Sequence, residues 1–102
     1  MADLPAFVSA LEGFEWDRGN TAKNVLGQGV SQAGAEEIFF HTPFLLFDDP
    51  THSATEPRYI ALGSTSAGRL LTTAFTVRGK RIRIISVRDM SRRERRVYDQ
   101  AR

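Results

Sequence analysis

Between residues 58 and 88 the chain reads RYIALGSTSAGRLLTTAFTVRGKRIRIISVR, three β-prone runs separated by glycine-containing segments. Runs of this kind bounded by turn residues are typical of successive strands. We expect strands over Arg58–Gly63, Arg69–Val77 and Lys80–Arg88. Ser64–Gly68 joins the first two, and Arg78-Gly79 is expected to form a tight hairpin turn between the last two. The stretch therefore predicts an antiparallel meander at the centre of the fold.

The last of these strands has a simple alternation of side chains. Successive residues of a strand point to opposite faces of the sheet. One face is expected to carry Ile82, Ile84 and Ser86, and the other Arg81, Arg83, Ile85 and Val87. Arg83 is thus predicted on a face that becomes apolar toward the end of the strand.

The sequence before the meander contains helix-like and extended segments. Apolar residues recur at helical spacing over residues 4–12, whereas the two aromatic residues of Phe14-Glu15-Trp16 favour an extended piece. We expect helices over residues 4–12, 18–27 and 32–40, capped by Asp3, Asp17 and Ser31, and a short strand over Phe44–Phe47.

A capping box opens a C-terminal helix. Ser91 and Glu94 have the spacing at which each side chain bonds the backbone N–H of the other. The face expected to dock on the core carries Met90, Val97 and Ala101. The face expected to point away carries Arg92, Arg95 and Arg96. N-terminal helices packed on an antiparallel sheet, followed by a C-terminal helix, predict an α+β fold and a single domain over residues 1–102.

Charge is strongly segregated along the chain. Residues 78–102 contain ten basic and three acidic residues, whereas residues 1–77 contain four basic and nine acidic ones. Apolar residues interrupt the basic stretch, so its arginines are expected on folded structure rather than in a solvated tail. Such a basic surface is expected to attract a polyanion.

Composition excludes several classes of protein. The chain has no cysteine, which removes disulfides and thiolate metal sites. Its two histidines lack the spacing of a ligand pair, so we expect no metal and no cofactor. No segment has the character of a signal peptide or a membrane span. We expect a cytoplasmic protein without a membrane partner.

The segment from His52 to Arg58 brings an imidazole, a carboxylate and a guanidinium together in sequence. RNA cleavage by internal attack needs a base for the 2′-OH and positive charge at the phosphorane. In this hypothesis His52 or Glu56 is the base. Arg58, Arg83 or Arg88 supplies the charge. A loop histidine is also commonly a surface or capping residue, so spacing alone leaves catalysis open.

Arginines also gather where the last strand meets the C-terminal helix. Arg88 precedes the expected helix start at Ser91, and guanidinium groups near the N–H groups of a helix N-terminus suit phosphate. A solvated helix face with weak surface ion pairs is the competing interpretation. For the cluster as a whole, the sequence favours contact with a polyanion.

Ordered motifs over residues 14–99 resemble the BrnT family of bacterial toxins. The matching residues are Phe14-Glu15-Trp16-Asp17, Asn24, Gly29-Val30-Ser31, Phe39-Phe40, Asp49, His52-Ser53, Glu56, Arg58, Gly63, Gly68-Arg69, Thr76-x-Arg78-Gly79, Ile82-Arg83-Ile84-Ile85-Ser86 and Arg92-Arg93-Glu94-Arg95-Arg96-x-Tyr98. The resemblance implies a RelE-like microbial ribonuclease domain that cleaves RNA without a metal and so inhibits growth. It also implies a BrnA-like antitoxin, a DNA-binding protein that neutralises the toxin in a hetero-oligomer.

The resemblance divides the chain into a helical extension, residues 1–13, and a core, residues 14–99. The residues expected to be catalytic are His52, Glu56, Arg58, Arg83 and Arg88. Those expected to bind RNA are Lys23, Arg81, Arg92, Arg93, Arg95, Arg96 and Tyr98. Three positions depart from the family pattern: Asn20 replaces a lysine, and Gly27-Gln28 replaces Lys-His. This loss of charge is expected to weaken phosphate binding, with Lys23 compensating in part.

Two other functions fit the same residues. A non-catalytic RNA-binding or regulatory protein would keep the fold and the basic surface without cleaving RNA. A purely structural partner of another protein would use the arginines at an acidic interface. Cleavage of RNA by the isolated chain separates the toxin from both.

Overall fold

The computed structural model describes residues 12–16, 29–49 and 56–102. The elements are β1 (Phe14–Glu15), α1 (Gln32–Glu37) with a 3₁₀ turn (Ile38–Phe40), β2 (Leu45–Asp48), β3 (Arg58–Ser64), β4 (Leu70–Arg78), β5 (Arg81–Asp89) and α2 (Arg92–Ala101). The expected helices over 4–12 and 18–27 lie outside the described residues, apart from Glu12, which is not helical. The helix expected over 32–40 is confirmed, with Ser31 as its cap.

The described strands form one sheet in the order β1-β5-β4-β3-β2. Strands β2 to β5 are antiparallel neighbours, which confirms the meander and the α+β class. The sheet is mixed rather than wholly antiparallel, because β1 pairs parallel to β5. A parallel pair needs a long connection, and here the rest of the sheet lies between the two strands in sequence. The β4–β5 turn consists of Gly79 and Lys80, one residue later than expected, with Gly79 at φ +60°.

A β-bulge overturns the alternation expected along β5. Ala74 pairs with Ser86 but the next residue, Phe75, pairs with Ile84, so Ile85 is the extra residue. An extra residue reverses the facing of everything after it. Val87 is therefore 2% exposed in the same core as Ile82 and Ile84, rather than lying on the Arg83 face.

The main core lies between one face of the sheet and α1 with its 3₁₀ turn. Phe39 is near its centre, with ring centroids 5.2 Å from those of Phe44 and Phe75. The turn packs so closely on β3 that a Cβ added to Gly63 would lie 2.8 Å from the Cβ of Ile38. This face of the sheet is therefore occupied by the core, and any site on the sheet must use the other face.

On that other face, α2 covers one end of the sheet. Ser91 and Glu94 form the expected capping box, and Met90 docks as predicted, but the other docking side chain differs from those predicted. Met90 and Tyr98 are buried with Leu62, whereas Val97 is 40% exposed and Ala101 is exposed. The reason is helical phase: Tyr98 follows Glu94 by four residues and so lies on the same side of the helix. None of the described helices is long and apolar enough to cross a membrane.

Candidate functional site

Four residues form a row across the sheet face that the main core leaves uncovered. Arg58 is paired with Thr76, Thr76 with Arg83, and Glu15 with Arg83. Directly paired residues of neighbouring strands point to the same side. We call Arg58, Thr76, Arg83 and Glu15 the arginine row. Two strand spacings separate the Cα atoms of its arginines, a distance of about 10 Å.

One end of the row is an ion pair between β5 and β1. Nη1 of Arg83 donates to Oε1 of Glu15 at 3.3 Å. The side chains are 22% and 37% exposed, so the pair is partly shielded but within reach of a ligand. Glu15 reaches the Arg83 guanidinium through one of its two carboxylate oxygens.

The segment entering β3 is tied to β4 beside the row. The hydroxyl of Thr76 donates to the backbone oxygen of Pro57. The backbone N–H of Asp49 donates to the backbone oxygen of Arg58 at 2.9 Å. Arg78 holds Glu56 by two bonds, Nη2 to Oε1 at 3.2 Å and Nε to Oε2 at 3.4 Å. Both oxygens of Glu56 are thus engaged. These bonds fix the approach to Arg58.

Arg88 lies on the same face but is held apart from the row. Its Nη1 and Nη2 donate to Oε1 and Oε2 of Glu94 at 2.7 and 2.9 Å. Oε1 of Glu94 also accepts from the N–H of Ser91 at 2.8 Å and from the hydroxyl of Thr72 at 2.9 Å. The hydrogen bonds from Arg88, with smaller contributions from Ser91 and Thr72, outweigh burial and lower the pKa of Glu94 to about 2. The same contact raises the pKa of Arg88. This cluster anchors α2 to the sheet.

The structure brings some of the predicted residues together and separates others. Arg58 and Arg83 share the row, and Arg81 is exposed two residues before Arg83. The exposed face of α2 carries Arg92, Arg93, Arg95 and Arg96. His52 and Lys23, together with the departures Asn20, Gly27 and Gln28, lie outside the described residues.

Tyr98 has a packing role in this structure. It is 1% exposed, and its hydroxyl donates to the backbone oxygen of Pro43 at 2.8 Å. The guanidinium carbon of Arg102 lies 5.0 Å from the centre of its ring. A buried ring has no face on which a base can stack, so we leave Tyr98 out of the proposed RNA-binding surface.

From the sequence alone we predicted no functional role for three residues of the site region, Glu15, Thr76 and Arg78. All three belong to motifs noticed in the sequence, Phe-Glu-Trp-Asp and Thr-x-Arg-Gly. What it lacked was the parallel pairing of β1 with β5, which joins Glu15 to a residue 68 positions later. Among the described residues, no three His, Cys, Asp or Glu side chains are grouped as metal ligands.

An α+β domain whose mixed sheet carries arginines on one face, beside an arginine-rich capped helix, is consistent with a RelE-like toxin. The family model described as "Ribonuclease toxin, BrnT, of type II toxin-antitoxin system" matches residues 16–94. The chain therefore belongs to the BrnT family, as its motifs indicated. Membership implies RNA as the target and an antitoxin as a partner. A search of curated proteins found no match.

Proposed function

We propose that this protein is a metal-independent endoribonuclease toxin that binds the scissile phosphate of RNA at the arginine row. The observation that carries the proposal is the alignment of Arg58 and Arg83 in one row across β3, β4 and β5. In a member of a ribonuclease toxin family, two partly exposed guanidiniums on one sheet face are the natural place for the reacting phosphate.

The chemistry follows from the charge of the row. Guanidinium groups bind phosphate oxygens by paired, charge-assisted hydrogen bonds. Arginines whose Cα atoms are about 10 Å apart are long enough to converge on one phosphodiester. Positive charge fixed there before the reaction stabilises the extra negative charge of the phosphorane. His52 stays in the proposal as a proton-transfer group, because an imidazole can gain and lose a proton near neutral pH.

The other predicted residues receive supporting roles. Glu56 and Arg88 are each held by an ion pair with two hydrogen bonds, so we assign them to stabilising the structure rather than to the reaction. RNA on either side of the scissile phosphate contacts basic side chains through its backbone. These are Lys23, Arg81, Arg92, Arg93, Arg95 and Arg96.

The partner proposed is a BrnA-like, DNA-binding antitoxin. A protein that neutralises this toxin must hide the arginine row from RNA, and acidic side chains complement that row best. The two proteins form a hetero-oligomer in the bacterial cytoplasm, where the RNA targets are. Because the departures at Asn20, Gly27 and Gln28 remove charge, RNA binding depends more heavily on the basic C-terminal quarter of the chain.

Cleavage of RNA by the purified chain in the presence of EDTA tests the proposal. Wild type is expected to cut RNA and to be blocked by its antitoxin. Arg58→Ala is expected to cut at least about 100-fold more slowly, because one preorganised charge is lost. Arg102→Gln, distant from the row, should cut at the wild-type rate.

Three other results have clear meanings. Cleavage only with added divalent metal would refute metal independence. Intact RNA together with tight, salt-sensitive binding would identify the non-catalytic RNA-binding protein instead. If the chain neither cleaves nor binds RNA, the arginines instead contact an acidic protein partner.

A further inference from the structure

The acidic side chains of the described residues are mostly engaged away from the arginine row. Glu12, Glu56, Asp89, Glu94 and Asp99 pair with Lys80, Arg78, Arg69, Arg88 and Arg102. Glu36 accepts from Trp16, and Glu37 from Ser66. Asp48 is paired with Tyr59 and so lies on the opposite face of the sheet. The carboxylates at the two ends of the row are Glu15, next to Arg83, and Asp49, whose backbone N–H donates to the backbone oxygen of Arg58.

Glu15 differs from the other arginine-bound carboxylates near this face. Both oxygens of Glu56 and both oxygens of Glu94 accept hydrogen bonds from an arginine. Glu15 contacts Arg83 through Oε1 alone. Its other oxygen, Oε2, accepts no hydrogen bond from the described residues, and the side chain is 37% exposed. Glu15 therefore keeps an acceptor available for a substrate proton.

We propose that Glu15 is the general base of the RNA cleavage, an inference that rests on the function proposed above. A general base must lie within hydrogen-bond reach of the proton that it removes. The 2′-OH is on the ribose whose 3′ oxygen carries the scissile phosphate. With that phosphate on Arg83, a carboxylate 3.3 Å from the Arg83 guanidinium is close to the hydroxyl.

The reaction is a single displacement at phosphorus. Glu15 takes the proton of the 2′-OH, and the 2′ oxygen forms a bond to the adjacent phosphorus. The bond from phosphorus to the 5′ oxygen of the next nucleotide breaks, and that oxygen leaves with its electron pair and takes a proton from water. The products are a 2′,3′-cyclic phosphate and a 5′-hydroxyl end. Arg83 stabilises the charge that develops on the phosphorane oxygens.

The competing explanation is that Glu15 only neutralises Arg83. A carboxylate that merely pairs with Arg83 competes with the RNA phosphate for the same donors. Its removal would then strengthen RNA binding and leave kcat unchanged. Removal of a general base lowers kcat instead, by about 100-fold to 10,000-fold. The two roles thus predict different changes for the same substitution.

The experiment compares Glu15→Gln, Asp49→Asn and Glu56→Gln on a short RNA oligonucleotide, with kcat and KM measured separately across pH. Glu15→Gln is expected to lower kcat at least about 100-fold without raising KM, and to remove the acidic limb of the pH profile. Asp49→Asn and Glu56→Gln are expected to keep that limb. An oligonucleotide with a 2′-deoxyribose at the scissile position should remain intact.

The outcomes separate this inference from the function on which it rests. If wild type cleaves RNA and Arg58→Ala does not, but Glu15→Gln cleaves at the wild-type rate, Glu15 is not the base and the proposed function stands. If the acidic limb disappears in Asp49→Asn instead, the other end of the row supplies the base. If wild type leaves RNA intact, both proposals fail.

A folding defect in Glu15→Gln must not be mistaken for a catalytic one. Thermal unfolding of each variant is therefore measured first. Glu15→Asp serves as the second variant, because it keeps the carboxylate on a side chain that is shorter by one methylene group. It is expected to lower kcat about 10-fold or more at unchanged KM while the acidic limb remains. Wild-type kcat in Glu15→Asp would contradict the inference, since a base must be positioned closely.

Discussion

Two arginine–carboxylate pairs lie five residues apart on the same face of β5, and they differ in how many hydrogen bonds their carboxylates accept from the described residues. Arg83 meets Glu15 through one bond of 3.3 Å. Arg88 meets Glu94 through two bonds of 2.7 and 2.9 Å, and Glu94 is bonded in addition by Ser91 and Thr72. The chemical groups are the same in both pairs, so the surrounding donors decide what each pair does.

The satisfied pair is suited to holding the structure together. Glu94 caps α2, joins it to β4 and neutralises Arg88, and these bonds hold its pKa at about 2. A substrate phosphate would have to replace several bonds at once to displace it. The Glu15 carboxylate has only one bond to lose among the described residues. A partly exposed carboxylate with one oxygen that accepts no hydrogen bond from the described residues is therefore the better candidate for contact with a ligand.

The largest expected effect is on the cleavage rate, when the arginine of each pair is replaced in turn. Arg83→Ala is expected to lower the cleavage rate at least about 100-fold, because it removes a charge that faces the phosphorane. Arg88→Ala is expected to leave kcat near the wild-type value and to lower stability instead. The measurement is initial cleavage rate on RNA, below the melting temperature of both variants. Equal loss of kcat in the two would show that Arg88 belongs to the reacting site.

Sequence patterns reveal one of these pairs but not the other. The spacing of Ser91 and Glu94 is a local signal, and the capping box follows from it. The Glu15–Arg83 pair depends on a parallel contact between residues 68 positions apart. No local spacing encodes such a contact, because parallel pairing is decided by how the whole sheet assembles. The sequence thus indicated that Arg83 matters without indicating its neighbour.

Side-chain facing shows the same limit at shorter range. Strict alternation predicted Val87 on the face of Arg83, but the bulge at Ile85 turns Val87 into the main core. The apolar edge of α2 was expected to dock through Val97, whereas Tyr98 fills the space over Leu62. In both cases a shift of one residue decides which side chain is buried, and packing against the neighbouring strand or sheet sets that shift. Within the described residues, the type and order of the later strands and of both helices were predictable because they depend on composition and period.

The next largest effect is on folding stability, which is expected to fall more when Glu94 is replaced than when Glu15 is replaced. Glu94→Gln is expected to lower the free energy of unfolding by about 1–3 kcal/mol, because charge-assisted bonds to Arg88 and the cap are weakened. Glu15→Gln is expected to change it by less than about 1 kcal/mol, as usual for a partly exposed pair. Urea unfolding at pH 7 measures both. A larger loss from Glu15→Gln would mean that β1 relies on this pair for its place in the sheet.

The pH dependence of Glu94 provides the control. Folding lowers its pKa from 4.5 to about 2, so the folded protein holds the proton less tightly than the unfolded chain does. The stabilisation is complete above pH 4.5 and is lost as pH falls toward 2. The difference between wild type and Glu94→Gln should accordingly be constant from pH 5 to 7 and shrink below pH 4.5. A difference that stays constant down to pH 2 would assign it to shape rather than charge.

The smallest effect tests whether the anchored helix contributes to RNA binding. Arg95 is exposed on α2, which the Arg88–Glu94 pair fixes to the sheet. If Arg95 contacts one phosphate, Arg95→Gln reduces the slope of log affinity against log salt by about 0.7, the value for one contact on a single strand. Arg102→Gln should leave the slope unchanged. Because backbone contacts hold RNA without taking part in the reaction, kcat should stay the same in both. A fall in kcat for Arg95→Gln would mean that α2 reaches the reacting phosphate. The assignment of Arg83–Glu15 to the reaction and of Arg88–Glu94 to the structure would then be wrong.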